Sequence, residues 1–119
     1  MGINEKFTPL RKGLLEFLVL KIIAADKVYV ADILKQLGGT EFATREGTLY
    51  PLLSKMRREE LVDYEWKESE AGPPRKYYQL TAKGREQLRE TSEYWQKIIE
   101  TVKGLGQRPR QQTEDSTPR

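Results

Sequence analysis

The feature that most narrows the possible folds of this chain is a stretch that alternates between apolar and polar residues after a long helical region. In LVDYEWKE, residues 61–68, the side chains of Val62, Tyr64 and Trp66 share one face. Such alternation predicts a β-strand, and RKYYQL, residues 75–80, reads as a second strand. The SEAGPP between them is rich in turn-forming residues, so we predict a β-hairpin whose loop is longer than a tight turn.

Helical patterns lie on both sides of this hairpin. Residues 9–25 form a helix that is apolar nearly all round, and it must be covered on more than one side, either by its own domain or by another subunit. A second helix, residues 30–37, shows apolar spacing of i, i+3, i+4, i+7 and ends at Gly38-Gly39, with glycine at the C′ position. Thr81 is a suitable N-cap for a last helix, residues 82–105.

Between these lies a third helix, for which Thr44 is the expected N-cap, and it carries two helix-weakening residues, Gly47 and Pro51. On a helical wheel both lie with Ser54 opposite the apolar face. To that apolar face we assign Leu49, Leu52, Leu53, Met56 and the aliphatic stem of Glu60. Small side chains make the outward face flat, which suits a groove; a solvated face with a tolerated kink is the alternative.

The last helix carries an apolar seam. Its members, spaced alternately three and four residues apart as in a coiled coil, are Leu88, Thr91, Trp95, Ile98, Val102 and Leu105. A helix of about 24 residues is about 36 Å long, which a small domain does not easily cover. We therefore expect its distal half to contact a partner, with the apolar first helix as the natural partner surface.

The order of these elements is that of a winged helix-turn-helix, in which the third helix enters the DNA major groove. The expected fold is mainly α with a small β-hairpin. We divide the chain into a winged helix-turn-helix DNA-binding domain, residues 1–80, a C-terminal dimerisation helix, 81–105, and a tail, 106–119. The tail has no aliphatic or aromatic residue and is predicted to be disordered.

Two blocks of the sequence resemble the PadR family of bacterial transcriptional regulators. GTLYPLL is Gly47–Leu53, and GPPRKYY, Gly72–Tyr78, leads into Leu80-Thr81 and Gly84. The resemblance covers roughly residues 10–105. It departs where the family often has His-Gly-Tyr, because this chain has Lys27-Val28-Tyr29, and that segment helps to position the recognition helix.

The resemblance implies a winged-helix homodimer that binds operator DNA and acts as a repressor, with the last helix mediating dimerisation. A two-fold dimer should bind an inverted repeat. Some members of the family hold flat aromatic compounds between subunits, so a small aromatic effector that releases the DNA is a further expectation. A winged-helix module for protein–protein contact, without sequence-specific DNA binding, is the alternative function.

Predicted DNA contacts come from the second helix, the third helix and the hairpin. Arg45 lies where base contacts begin, unless it pairs with Glu41 or Glu46. Arg75 and Lys76 are placed just after the hairpin tip, where a wing approaches phosphates; a solvated turn is the alternative. The full set is Lys35, Arg45, Gly47, Thr48, Tyr50, Ser54, Lys55, Arg75 and Lys76.

Predicted dimer contacts combine the first and last helices. They are Leu14, Phe17, Leu18, Leu88, Trp95, Ile98, Val102 and Leu105. Tyr94 and Trp95 are the candidate ligand-binding residues, because a tryptophan on the seam can pack against a ligand face; plain dimer core is the competing interpretation. Tyr77 and Tyr78 are assigned to packing of the hairpin.

The composition argues against catalysis and metal binding. Among 119 residues there is no histidine and no cysteine, so the commonest general base and the thiolate ligands are absent. We expect no enzyme activity, no cofactor and no metal site. The longest apolar run is interrupted by Glu16 and Lys21 and the first residues are polar, so we expect neither a membrane span nor a signal peptide, and a cytoplasmic protein. A net charge of +3 is compatible with DNA binding without requiring it.

Overall fold

The structure, a computed structural model, describes residues 2–107 and confirms the predicted winged helix-turn-helix with a C-terminal helix. The elements in chain order are a 3-10 helix (Gly2–Phe7), α1 (Thr8–Ala25), α2 (Val30–Gly38), α3 (Glu46–Arg58), β1 (Val62–Ser69), β2 (Gly72–Leu80) and α4 (Ala82–Gly104). The two strands form one antiparallel hairpin, the wing. Its position between α3 and α4 means that the chain passes from the recognition helix through the wing before it reaches the last helix.

One apolar core joins the three N-terminal helices to the base of the wing. From α3 it receives Leu49, Leu53 and Met56, all fully buried at helical spacing. The partners of these residues include Val19, Leu20 and Ile23 of α1, Ile33 and Leu37 of α2, and Val62 and Tyr78 of the wing. Full burial of one such side chain contributes about 1.5–3 kcal/mol, so α3 is anchored firmly by one face while its opposite face stays exposed.

Two helix ends differ by one residue from the sequence prediction. The N-cap of α3 is Arg45 rather than Thr44, because the Arg45 carbonyl accepts the N–H of Leu49 at 2.9 Å. The C-cap of α2 is Gly39 with a φ of −93°, so glycine does not occupy the C′ position. Thr40 follows it there and donates its N–H back to the last turn.

The wing loop is shorter than predicted. Only Glu70 and Ala71 connect the strands, and Pro73 and Pro74 belong to β2 rather than to the loop. Proline lacks the N–H that a ladder hydrogen bond needs, and it is tolerated in strands where the pairing is irregular. The pairing register shifts at this end of the hairpin, which explains why the prolines fit.

The end of α3 also differs from the prediction. Glu60, assigned to the buried face, is exposed beyond the helix and has a φ of 65°, the one positive φ among the non-glycine residues described. The N–H of Glu60 donates to Arg57 and that of Leu61 to Met56, both at 2.9 Å. These are the two hydrogen bonds of a Schellman motif, in which the left-handed position is usually glycine.

The predictions about a membrane span, a metal site and the tail concern the composition of the helices and the ends of the chain. Of the helices within residues 2–107, none has the length and apolarity needed to cross a membrane. That same range contains no cluster of acidic residues that could hold a metal ion. The predicted disordered tail lies outside the described residues from position 108 onward, and the division of the chain at residues 80 and 105 stays a prediction.

Candidate nucleic-acid interface

The outward face of α3 carries small side chains, as predicted. Gly47, Pro51 and Ser54 are all exposed there. A Cβ added at Gly47 would meet nothing within 4 Å, and the residue has no positive φ. Neither close packing nor backbone strain therefore requires glycine at this position. Because Pro51 also lies outside the core, the Gly47 carbonyl that loses its helical partner faces solvent rather than apolar side chains.

Polar side chains border this flat face. Arg45 at the start of α3 is exposed and, within residues 2–107, forms no ion pair with its acidic neighbours. Thr48 is exposed on α3, as is Lys35 on α2. Tyr50 is 43% exposed and faces the wing across a groove. All four predicted residues are therefore at the surface, three of them at the start or in the N-terminal half of α3 and Lys35 on α2.

Lys55 is held by carboxylates instead of lying free on this face. Its Nζ is 2.9 Å from Glu16 Oε1 of α1 and 3.1 Å from Glu59 Oε2. The hydrogen bond to Glu16, followed by that to Glu59, raises the pKa of Lys55. The side chain remains 48% exposed, so contact with a phosphate would require Lys55 to leave Glu16.

Arg75 and Lys76 lie in the paired part of the wing, four and five residues after the turn, rather than just after its tip. Across the ladder Arg75 faces Lys67. Its guanidinium lies 4.8 Å from the centroid of the Tyr29 ring, and the Lys76 Nζ lies 4.2 Å from that of Tyr64. Cation–π contacts of this kind restrict long side chains, so both cations are held at the middle of the wing.

The edge of β2 that does not pair with β1 is bonded to the segment before α2. Val28 pairs with Tyr78 through backbone hydrogen bonds of 3.2 and 2.8 Å. The rings of Tyr29 and Tyr77 lie 4.0 Å apart between centroids, and the side-chain hydrogen bond between the two tyrosines raises the pKa of Tyr29. The predicted packing role of Tyr77 and Tyr78 is confirmed. Residues 27–29, where the chain departs from the family pattern, thus support the wing directly.

An open groove of about 510 Å³ lies between α3 and the wing. Among the described residues, five of the nine that line it are aromatic or cationic, namely Tyr29, Tyr50, Trp66, Arg75 and Lys76, and the acidic Glu46 of α3 also lines it. Trp66 is 61% exposed, and sequence reasoning missed it as a site residue. The length of the predicted strand could have indicated it. Eight residues of β1 span about 26 Å, which is more than a small domain covers, so the apolar face of β1 is exposed toward the tip of the wing.

Comparison with known proteins identifies the family. Residues 19–90 match the model of the PadR-like family of transcriptional regulators. The chain belongs to this family. A PadR-like transcription factor from Bacteroides fragilis is 40% identical, covering 83% of this chain and 96% of that one, with a TM-score of 0.73. A PadR-like regulator from Bacillus cereus is 39% identical, covering 85% of this chain and 99% of that one, with a TM-score of 0.76. A PadR family regulator from Eggerthella lenta is 30% identical, covering 87% of this chain and 90% of that one, with a TM-score of 0.76.

Membership in the PadR-like family confirms the resemblance drawn from the two sequence blocks. The members are transcriptional regulators that bind DNA, not enzymes. The residues that match the family model run from α1 to the first turns of α4 and therefore include the whole of α3 and the wing. The exposed face of α3 and the groove beside it are accordingly the candidate DNA interface of this PadR-like protein.

In the PadR-like fold described here, α4 has two unlike halves. Leu88 lies against the core, and the Trp95 ring packs on Phe17 of α1 with centroids 6.3 Å apart. Farther along, Val102 and Leu105 are 69% and 71% exposed. Leu88, Trp95 and Phe17, all predicted for the dimer interface, thus already contact their own chain, whereas the distal seam has no cover within residues 2–107.

A cavity of about 360 Å³ opens where α4 crosses α1. It is lined mainly by apolar side chains, including Leu14, Phe17, Leu18, Phe42 and Trp95, with Lys21 at its edge. Of the two candidate ligand residues only Trp95 lines it. Tyr94 is exposed elsewhere on α4, because adjacent residues on a helix diverge by about 100°.

Proposed function

We propose that this PadR-like regulator is a homodimeric repressor that binds an inverted-repeat operator and is released by a small flat aromatic compound. The observation that carries the proposal is the outward face of α3. Gly47, Pro51 and Ser54 leave the backbone of this helix accessible, and a helix with such a face can approach the floor of the major groove closely.

The polar residues around this face match what DNA recognition requires. An arginine such as Arg45, which has no ion pair within residues 2–107, can donate two hydrogen bonds to guanine. The hydroxyl groups of Thr48, Tyr50 and Ser54 suit base edges or phosphates, and Lys35 and Lys55 suit phosphates. On the wing, Arg75 and Lys76 sit beside the groove that a DNA backbone would follow.

The distal seam of α4 supports the homodimer. Ile98, Val102 and Leu105 are spaced four and three residues apart and are exposed, which is the pattern that two helices bury against each other. The side chains of Leu14 and Leu18 on α1 are only partly covered and offer further apolar surface. A dimer of this kind presents two copies of α3 and so reads an inverted repeat, and an occupied operator blocks transcription.

The cavity beside Trp95 supports the effector. Its volume lies within the range of about 300–1,000 Å³ that small-molecule sites occupy, and Trp95 and Phe17 offer aromatic surfaces to a flat ring. Since the cavity is bounded by α1 and α4, the helices we assign to the dimer, a ligand there would alter the arrangement of subunits and hence of the two recognition helices.

The test uses the two tryptophans as fluorescent reporters. Trp66 lines the groove between α3 and the wing, and Trp95 lines the cavity between α1 and α4. Genomic fragments bound by the wild-type protein are selected and sequenced, and an inverted repeat is expected. In the Trp95→Phe variant, the remaining Trp66 should change its emission on adding the selected duplex. In the Trp66→Phe variant, the remaining Trp95 should respond to a planar aromatic probe such as the naphthalene dye ANS.

Three results would contradict parts of this proposal separately. If the wild-type protein sediments as a monomer, the proposed homodimer is wrong. If the selected fragments lack dyad symmetry, the inverted-repeat operator is wrong and a different mode of DNA contact is favoured. A probe that leaves both the Trp95 emission and operator affinity unchanged removes the aromatic effector.

A further inference from the structure

Four chain segments meet at one point between α3 and α4. The end of α3 turns through the left-handed Glu60 into the buried Leu61, and the end of β2 leads through Thr81 into α4. The pair Val62 and Leu80 closes the hairpin between them. We name the four residues Glu60, Leu61, Thr81 and Gly84 the α3–α4 joint.

Thr81 makes hydrogen bonds to both sides of this joint. Its hydroxyl accepts the N–H of Gly84 at 2.9 Å and so caps α4. The same hydroxyl donates to the Glu60 carbonyl at 2.6 Å and lies 3.1 Å from the Leu61 carbonyl, which also accepts the Thr81 N–H at 3.1 Å. The direction of α4 is therefore tied to the two residues that terminate α3.

Gly84 brings the first turn of α4 into direct contact with this turn. A Cβ on Gly84 would lie 2.0 Å from the Leu61 carbonyl oxygen and 3.0 Å from its carbonyl carbon. No side chain fits there unless the backbone of one segment moves. The contact is between two main chains, which leaves less freedom than a contact between flexible side chains.

We propose that Thr81 and Gly84 are positioning residues for operator recognition. By fixing the angle between α3 and α4 they determine the distance between the two recognition helices of a dimer, and with it the spacing of the half-sites. A rotation of about 6° at one end of a helix about 34 Å long displaces the other end by about 3.5 Å, close to the rise of one base pair. The inference rests on the homodimeric operator mode proposed above.

The experiment separates the two functions of the Thr81 hydroxyl. Thr81→Asp keeps an N-cap acceptor for Gly84 but cannot donate to Glu60 when ionised. Thr81→Ser keeps both functions, and Lys83→Ala changes an exposed side chain of the same helical turn. Thr81→Val, which loses both functions at nearly constant shape, provides a second test should the aspartate lower the melting temperature.

The probes are duplexes that carry the inverted repeat selected from genomic DNA, with its spacer shortened or lengthened by one or two base pairs. We expect the wild type, Thr81→Ser and Lys83→Ala to prefer one spacer. In Thr81→Asp and Thr81→Val that preference should fall by about tenfold, a change of about 1.4 kcal/mol in relative affinity. Dimerisation should be unchanged, since the seam is not touched.

The spacer preference distinguishes a joint that positions α3 from one that only stabilises the fold. If Thr81→Asp and Thr81→Val bind all spacings more weakly but keep the wild-type preference, the joint stabilises the fold without positioning α3, and the inference is overturned. If the wild type itself is monomeric or shows no preferred spacer, the proposed homodimeric binding of an operator is wrong, and the inference about the joint is wrong with it. A broadened preference in both variants, with dimers intact, supports the joint as the element that sets half-site spacing.

Discussion

Two exposed surfaces of this protein, one on α3 and one on the distal half of α4, have opposite chemical character. On α3 the outward face is small and polar, with Gly47 and Ser54 on it. On the distal half of α4 the outward face is apolar, with Val102 and Leu105 more than two thirds exposed. The opposite face of α3 is buried through Leu49, Leu53 and Met56, whereas residues 101–107 at the distal end of α4 are all exposed.

The difference shows what each surface is complementary to. A hydrated nucleic-acid groove offers polar edges and charge and admits a helix only where side chains are short. Exposed apolar residues at three- and four-residue spacing gain by leaving water together, which a second copy of the same helix allows. Within one small domain, α3 is thus suited to DNA and α4 to another protein surface.

The largest expected effect comes from removing the flatness of α3. Gly47→Leu places a bulky side chain between the helix and the groove floor, and operator affinity should fall to the non-specific level, a loss of at least about 10³-fold. Folding should be retained, because the Cβ position is open and leucine is the better helix former by about 0.8 kcal/mol. Fluorescence anisotropy and thermal melting measure the two effects.

Gly13→Leu is the matched control for that substitution. Gly13 lies within α1, and its Cβ position is equally open. The control should gain similar helix stability and keep operator binding. A Gly47→Leu protein that melts normally and still binds its operator tightly would show that the small outward face is not a DNA surface.

The second effect comes from the apolar face of α4. Ile98→Glu combined with Val102→Glu should give monomers, because two glutamates per chain would face each other across the seam. Operator affinity should then fall by about 10²-fold, since each half-site binds without the help of a linked partner. Sedimentation and anisotropy on the same samples make the measurement.

The control also introduces two glutamates, but on a neighbouring side of the helix. Lys97 and Thr101 are exposed polar residues next to the seam, so Lys97→Glu with Thr101→Glu should leave the dimer intact. An unchanged dimer in the Ile98 and Val102 variant would show that the distal seam of α4 is not the dimer contact.

The contrast between α3 and α4 was visible in the sequence because both patterns are local. The positions of Leu49, Leu53 and Met56 fix which side of α3 is buried, and hence that Gly47 and Pro51 face outward. The same periodicity identified the seam of α4. Patterns of this kind depend only on helix geometry, so the chain needed no tertiary information to reveal them.

Features that depend on tertiary contacts were not predictable. A glutamate at a left-handed position such as Glu60 gives no sequence signal, since glycine is the usual residue there. Gly84 was matched only as part of a pattern, and its reason is a close approach to Leu61, 23 positions earlier. The ion pair of Lys55 with Glu16 was missed because Glu16 lies on another helix.

The third effect concerns the wing. Arg75→Ala with Lys76→Ala should weaken binding to all duplexes about equally, by about tenfold at moderate salt, and lower the slope of log affinity against log salt by up to about 1.8. Phosphate contacts carry little sequence information, which is why the loss should be uniform. Titrations of specific and random duplexes at several salt concentrations measure it.

The structure adds a second consequence for the wing, because Arg75 stacks on Tyr29. Arg75→Lys keeps the charge but loses the planar stacking surface, so it separates the two contributions. If Arg75→Lys binds DNA as tightly as the wild type, the charge of Arg75 makes the main contribution to affinity. A loss confined to one operator sequence in the double alanine variant would mean that the wing reads bases.

The smallest expected effect is at Lys55, where the DNA face of α3 and the body of the protein compete for one cation. In the free protein Lys55 is held by Glu16 and Glu59, so any phosphate contact replaces ion pairs that already exist. Lys55→Gln should therefore lower affinity only about twofold while reducing the salt slope by about 0.9. Glu16→Gln should have the opposite sign, because Lys55 then loses a competitor of the phosphate. An unchanged salt slope in Lys55→Gln would assign this lysine to the contact between α1 and α3 alone, and the DNA face would end at Ser54.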